Sequence, residues 1–130
     1  MKYSREVLIN YRISRAKESL AEAKLLAENG HWNTCINRLY YSCFYIVLAL
    51  LLKNDLSAGK HSGVRAMLSL HFIKTGIVSK GNGRLYNELF DNRQTGDYKD
   101  LYIFDEETTR PYINKAEMFI ADIEHVIDSG

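Results

Sequence analysis

One proline in 130 residues leaves the chain nearly free of helix breakers, and two cysteines are too few for a disulfide framework. Cys35 and Cys43 fall eight apart on what reads as one helix, which separates their Cα atoms by about 12 Å and excludes a bridge between them. Both read as small apolar core residues in a reducing compartment. The longest apolar run, Cys43 to Leu52, has ten residues, short of the ~18 to 20 a membrane span needs. Met1-Lys2-Tyr3-Ser4-Arg5-Glu6 has no apolar signal-peptide core, so the expectation is a cytoplasmic protein with no membrane partner. An excess of one charge is also lacking. Seventeen Lys and Arg against sixteen Asp and Glu give a net +1, so total charge makes no case for a polyanionic partner. Its distribution is uneven: residues 1–65 carry a net +5 and residues 66–130 a net −4, halves that attract each other in a compact fold.

The chain is 46% hydrophobic and 25% charged, the composition of one soluble globular domain over residues 1–130 rather than a disordered tail. At this length folding buries roughly two thirds of the unfolded surface, so stability requires no cofactor and no structural metal. Ile9, Ile13, Ala16, Leu20, Ala23 and Ala27 recur at steps of three and four and predict a first helix stopped by Asn29-Gly30. A wider stripe from Trp32 through Leu51 predicts a second, central helix ended by Lys53-Asn54-Asp55. If its apolar end, Phe44 to Leu52, exceeds what one chain can cover, a second subunit would bury the rest. Val64, Met67, Leu68, His71 and Phe72 predict a short third helix closed near Gly76. Leu85, Tyr86, Leu89 and Phe90 predict a fourth, opened by Gly81 and Gly83 and ended near Gly96. Ile113, Ala116, Ile120, Ile123 and Ile127 predict the last, preceded by acidic Asp105, Glu106 and Glu107 and starting or bending close to Pro111. No segment alternates with period two. The fold class is all-α, an up-and-down antiparallel bundle of about five helices.

Metal chemistry finds no foothold in the pattern. The Glu-x-x-His pairs of metal-binding bundles are absent, the histidines (His31, His61, His71, His125) are scattered, and His71 reads as a core residue. Gly81-Asn82-Gly83 follows no strand and reads as a turn, not a phosphate loop. The anomaly is polar residues on apolar faces. Arg93 continues the stripe of Tyr86 and Leu89, with Asp97 one turn further on, and Asn37, Arg38 and Tyr41 interrupt the second helix. Two readings stay open: a buried ion-pair network that orders the bundle, or a polar cleft between the second and fourth helices with Arg as anion binder.

Asn37-Arg38-Leu39-Tyr40-Tyr41-Ser42-Cys43-Phe44 resembles the second-helix signature of the HEPN family (higher eukaryotes and prokaryotes nucleotide-binding). Lys60-His61-Ser62-Gly63-Val64 with His71-Phe72-Ile73-Lys74-Thr75-Gly76 is similar to the region of its third helix. Leu89-Phe90-Asp91-Asn92-Arg93-Gln94-Thr95-Gly96-Asp97-Tyr98 is similar to its fourth-helix Arg-x-x-x-Asp-Tyr element. The resemblance implies a helical bundle that dimerises, often beside a minimal nucleotidyltransferase in toxin and antitoxin pairs, with some members acting as metal-independent ribonucleases. In those, an Arg and a polar residue are followed, after a few more, by His. Arg93 and Gln94 match, but the positions that should offer His hold Tyr98, Lys99 and Asp100. Imidazole suits proton transfer near neutral pH, whereas a phenol with a pKa of ~10 is a poor base there.

The expectation is therefore a homodimeric module that binds a nucleotide or RNA phosphate through Arg38, Arg93, Asn37, Tyr41, Asp97 and Tyr98, or that serves a minimal nucleotidyltransferase as accessory. The alternatives are an endoribonuclease in which Arg93 holds the phosphate and His61 or Tyr98 moves protons, and a purely structural interaction subunit. No cofactor is implied.

Overall fold

A computed structural model describes residues 4–98 and 102–130, with Tyr98 described by its backbone alone. Five α-helices follow in order: α1 (Arg5–Glu28), α2 (Trp32–Lys53), α3 (His61–Leu68), α4 (Lys80–Tyr98) and α5 (Glu106–Ser129). Cross-helix pairs fix their directions. Lys17 meets Glu124 and Lys24 meets Glu117, so α1 and α5 run antiparallel. Arg12 reaches the Leu48 carbonyl while Arg38 reaches Glu22, so α1 and α2 do too. Asn82 bonds Asp122 and Tyr112 bonds Glu88, which sets α4 against α5 in the same way. The four long helices form an up-and-down bundle with the short α3 laid against α2 and α4.

The caps follow local chemistry. Ser4 Oγ accepts from the Val7 N–H and Asp105 from the Thr108 N–H, each satisfying a donor that a helix start leaves unpaired. Gly30, at φ 73°, makes the left-handed turn out of α1. The Arg5 guanidinium donates to the carbonyls of Leu52 and Lys53, placing a cation at the negative end of α2.

α2 touches every other α-helix and buries eleven of its 22 residues, which is why its stripe is so wide. Length and composition alone would let it cross a membrane, but 61% of its most apolar window is buried inside the bundle, as a core helix requires. Ile46, Val47, Ala49, Leu50 and Leu51 are covered by the same chain, whereas Tyr41, Tyr45, Leu48 and Leu52 remain half-buried along one line of the helix. Cys35 and Cys43 are both buried and free, with burial pushing their thiols up to about 11 and about 12.

Three boundaries differ from the sequence expectation. After α3 the chain continues through one π-turn, Ser69–Ile73, before Gly76 closes it. α4 passes through Gly96 to Tyr98. Gly96 is there for close approach: a Cβ at this position would lie 3.0 Å from the Phe104 ring, whose edge packs against the helix. α5 begins at Glu106, five residues ahead of Pro111, because the Asp105 cap outweighs one missing N–H. The carbonyl that Pro111 leaves unpaired belongs to Glu107, which is exposed and can be hydrated.

Candidate functional site

On α2, Asn37, Tyr40, Tyr41 and Phe44 share one face by their spacing of three and four. On α4, Tyr86, Phe90, Arg93 and Asp97 do the same. Where these faces meet, beside the start of α3, polar groups enter the bundle. Arg93 is 7% exposed, with its guanidinium carbon 4.7 Å from the Tyr40 ring centroid and 5.8 Å from that of Tyr41. Aromatic faces stabilise a desolvated cation here, and the Arg stem packs with them.

Arg93 is charge-balanced but makes no hydrogen bond among the described residues. Its Nη1 lies 3.7 Å from Asp97 Oδ2, beyond hydrogen-bond length, and its Nε is buried with no partner among the described residues. Asp97 is a third exposed and accepts from Asn37 Nδ2 at 3.3 Å. Asn37 Oδ1 in turn accepts from Arg38 Nε and Nη2 at 3.1 and 2.9 Å, and Arg38 Nη1 stands 3.5 Å from Glu22 on α1. The Arg38 guanidinium covers the other aromatic of the pair, 5.0 Å from the Tyr41 centroid. A string of polar side chains thus runs from Glu22 through Arg38, Asn37 and Asp97 to Arg93. From α3, Arg65 lies 4.0 Å from the Phe90 centroid and 3.7 Å from Asp91.

His61, the first residue of α3, closes the aromatic side of the cluster. Its ring stacks on Phe44 with centroids 4.3 Å apart and planes 9° from parallel, and Nδ1 lies 2.7 Å from the Tyr40 hydroxyl. Burial, and secondarily the positive charge of Arg93, hold the imidazole below its ordinary pKa and favour the neutral ring. Burial pushes the Tyr40 phenol up to about 12 and Tyr86 well above its usual range, and among the described residues the Tyr86 hydroxyl has only that of Tyr40 to turn to.

The structure therefore gathers Arg93, Asp97, Asn37, Arg38, Tyr41 and His61 into one cluster; the Tyr98 side chain lies outside the described residues. Sequence reasoning missed Tyr40 as a polar participant, because its apolar stripe hides the hydroxyl. It missed Glu22, whose only signal is a charge bordering the apolar face of α1. It missed Asn33, which donates to the Tyr102 carbonyl at 2.8 Å and accepts from the Phe104 N–H at 2.7 Å, tying the segment after α4 to α2. Among the described residues no three His, Cys, Asp or Glu side chains gather as metal ligands would. A shallow depression of about 300 Å³ between α4 and α5 is lined by Asn82, Arg84, Glu88, Lys115 and Asp122, and shares no residue with the Arg93 cluster. Its walls bury no unpartnered polar atom, so the chemically loaded place is the Arg93 cluster.

Residues 9–126 match the HEPN domain family. The chain is 47% identical over 124 residues to the "UPF0332 protein" of Thermotoga maritima, covering 95% of this chain and 94% of that one. Two proteins of Methanocaldococcus jannaschii are also similar. "Putative toxin MJ0142" is 32% identical over 120 residues, 92% of this chain and 80% of that one. "Putative toxin MJ0605" is 34% identical over 115 residues, 88% and 85% of the two chains. With an all-helical bundle and a family match running from its first helix to its last, the chain belongs to the HEPN family.

Proposed function

We propose that the protein is a toxin-like HEPN module that binds the phosphate of a nucleotide or RNA at the Arg93 cleft, acting as a homodimer in partnership with a minimal nucleotidyltransferase. One observation carries the phosphate reading. Arg93 is nearly buried, held by two aromatic rings, and leaves its donors without a hydrogen-bond acceptor among the described residues. A guanidinium in that state is preorganised for an oxyanion, which supplies charge-assisted hydrogen bonds that Asp97 at 3.7 Å does not. The tyrosine and histidine rings beside it offer stacking surfaces of the kind nucleobases use. The names of the two archaeal relatives support the toxin-like part of the reading.

A second reading, metal-independent endoribonuclease, is supported by the position of His61, whose ring feels the charge of Arg93 although the two stand 32 positions apart in the chain. Incubating wild type, Arg93→Ala and His61→Ala with a mixed RNA pool in EDTA separates the possibilities. The binding reading expects RNA to be retained uncut by wild type and released by folded Arg93→Ala. Cleavage that disappears in both variants would install the ribonuclease. Neither retention nor cleavage would make the cleft a structural network and the protein an interaction subunit.

A further inference from the structure

The His61 ring is fixed more firmly than a half-buried side chain at a helix start needs to be. Phe44 stacks on one face, Tyr41 meets it edge-on with centroids 5.9 Å apart at 89°, and the Tyr40 hydroxyl holds Nδ1 at 2.7 Å. The two imidazole nitrogens lie on opposite sides of the ring. An Nδ1 turned toward the fully buried Tyr40 therefore turns Nε2 away from the core, and Nε2 has no protein partner among the described residues.

Which nitrogen carries the proton follows from the hydroxyl. Among the described residues the Tyr40 oxygen is within close hydrogen-bond distance of His61, with the buried Tyr86 hydroxyl as its other polar neighbour. If Nδ1–H donated to that oxygen, the phenol's own proton could turn only to the Tyr86 oxygen, and the Tyr86 proton would then sit in the core with no acceptor, an arrangement that buried polar groups avoid. If the phenol donates to Nδ1, both atoms are satisfied and the ring proton resides on Nε2. Burial keeps the phenol protonated and able to donate at neutral pH.

We propose that Tyr40 is a positioning residue that locks neutral His61 in its Nε2–H form, and that this N–H is a second donor, beside the Arg93 guanidinium, for the phosphate held in the cleft. The donor role rests on the nucleotide-binding reading; the tautomer does not. The pairing has a physical logic. A second cation next to Arg93 would add repulsion, whereas a neutral N–H adds a directed hydrogen bond without it.

Long-range ¹H–¹⁵N correlation of the imidazole rings, with adenosine 5′-monophosphate as probe, tests both halves. In the free protein, wild-type His61 should show a protonated Nε2 and an unprotonated, hydrogen-bonded Nδ1. Tyr40→Phe, which keeps the ring and removes one oxygen, should give mixed tautomers and about threefold weaker nucleotide binding. The nucleotide should shift His61 Nε2 together with Arg93 Nε. His61→Phe should weaken binding about tenfold, while His61→Gln, which restores a neutral donor, should stay within about threefold of wild type. An Nδ1–H tautomer in wild type, or a tautomer unchanged in Tyr40→Phe, overturns the positioning role. A shift at Arg93 without one at His61 overturns the donor role and leaves the cleft reading standing. A shift at neither overturns both.

Discussion

At the scale of single residues, Arg93 joins two roles that pull apart in mutants. Its stem and guanidinium pack on Tyr40 and Tyr41, so Arg93→Ala should lower stability by about 2 kcal/mol through lost packing and cation–π attraction. Arg93→Met, which refills the space, should recover about half of that. Asp97 contributes less: it is a third exposed and 3.7 Å away, and stays hydrated when its partner leaves. The Arg93/Asp97 coupling in a double-mutant cycle should therefore stay below about 1 kcal/mol. Denaturant midpoints of wild type, Arg93→Ala, Arg93→Met, Asp97→Ala and the Arg93→Ala/Asp97→Ala double variant measure all three values, and a coupling of several kcal/mol would mean that the ion pair, not the aromatic packing, holds Arg93. His61 adds a pH signature. Surrounded by Tyr40 and Tyr41 of α2 and by the charge of Arg93 on α4, its folded pKa lies below the 6.5 of the unfolded chain. As pH falls the unfolded state takes up this proton first. The stability tied to the neutral ring is thus complete above 6.5 and is lost as pH drops from there through the folded pKa. Thermal melts should show Tm falling over that window, with the slope reduced in His61→Gln; parallel profiles would show that His61 is not the group responsible.

At the scale of elements, the site exists because α4 runs its full length. The sequence suggests an end at Gly96, and a helix stopped there would leave Asp97 loose. Instead Phe104 folds back over Gly96, and Asn33 pins the Phe104 backbone to α2. Asn33→Ala removes both hydrogen bonds of this clamp and leaves the Phe104 N–H unpaired, at a cost of about 1 to 3 kcal/mol. Amide exchange in the last turn of α4 should accelerate in this variant while the middle of α2 stays protected; uniform acceleration would make Asn33 a determinant of global stability only. The contrast with the rest of the bundle explains what could be read in advance. Helix periodicity is written in apolar spacing, so α1, α2 and the stripe of α5 were legible, as was Arg93 intruding on the face of Tyr86 and Leu89. The clamp was not legible, because a glycine chosen for close approach looks the same in sequence as one that ends a helix. Tyr40 was hidden likewise: its ring satisfies the apolar pattern, and only the fold brings a histidine 21 residues away to its hydroxyl.

At the scale of the whole molecule, the near-neutral charge agrees with a site of few, well-placed donors rather than a broad basic surface. The half-buried line of Tyr41, Tyr45, Leu48 and Leu52 on α2 adjoins the cleft through Tyr41, and it is the apolar surface a second copy would cover. Light scattering after gel filtration should report a dimer for wild type and a monomer for Leu48→Asp; a wild-type monomer at micromolar concentration would contradict this. The central claim, that Arg93 is held ready for a phosphate, is tested most directly by titrating a short fluorescent RNA in EDTA into wild type, Arg93→Met and Asp97→Asn and following its anisotropy. The account predicts binding by wild type, about tenfold or greater weakening in folded Arg93→Met, and severalfold tightening in Asp97→Asn, where the carboxylate no longer competes for the guanidinium. Equal affinity in all three would contradict it, and would return Arg93 to the role of a buried strut between α2 and α4.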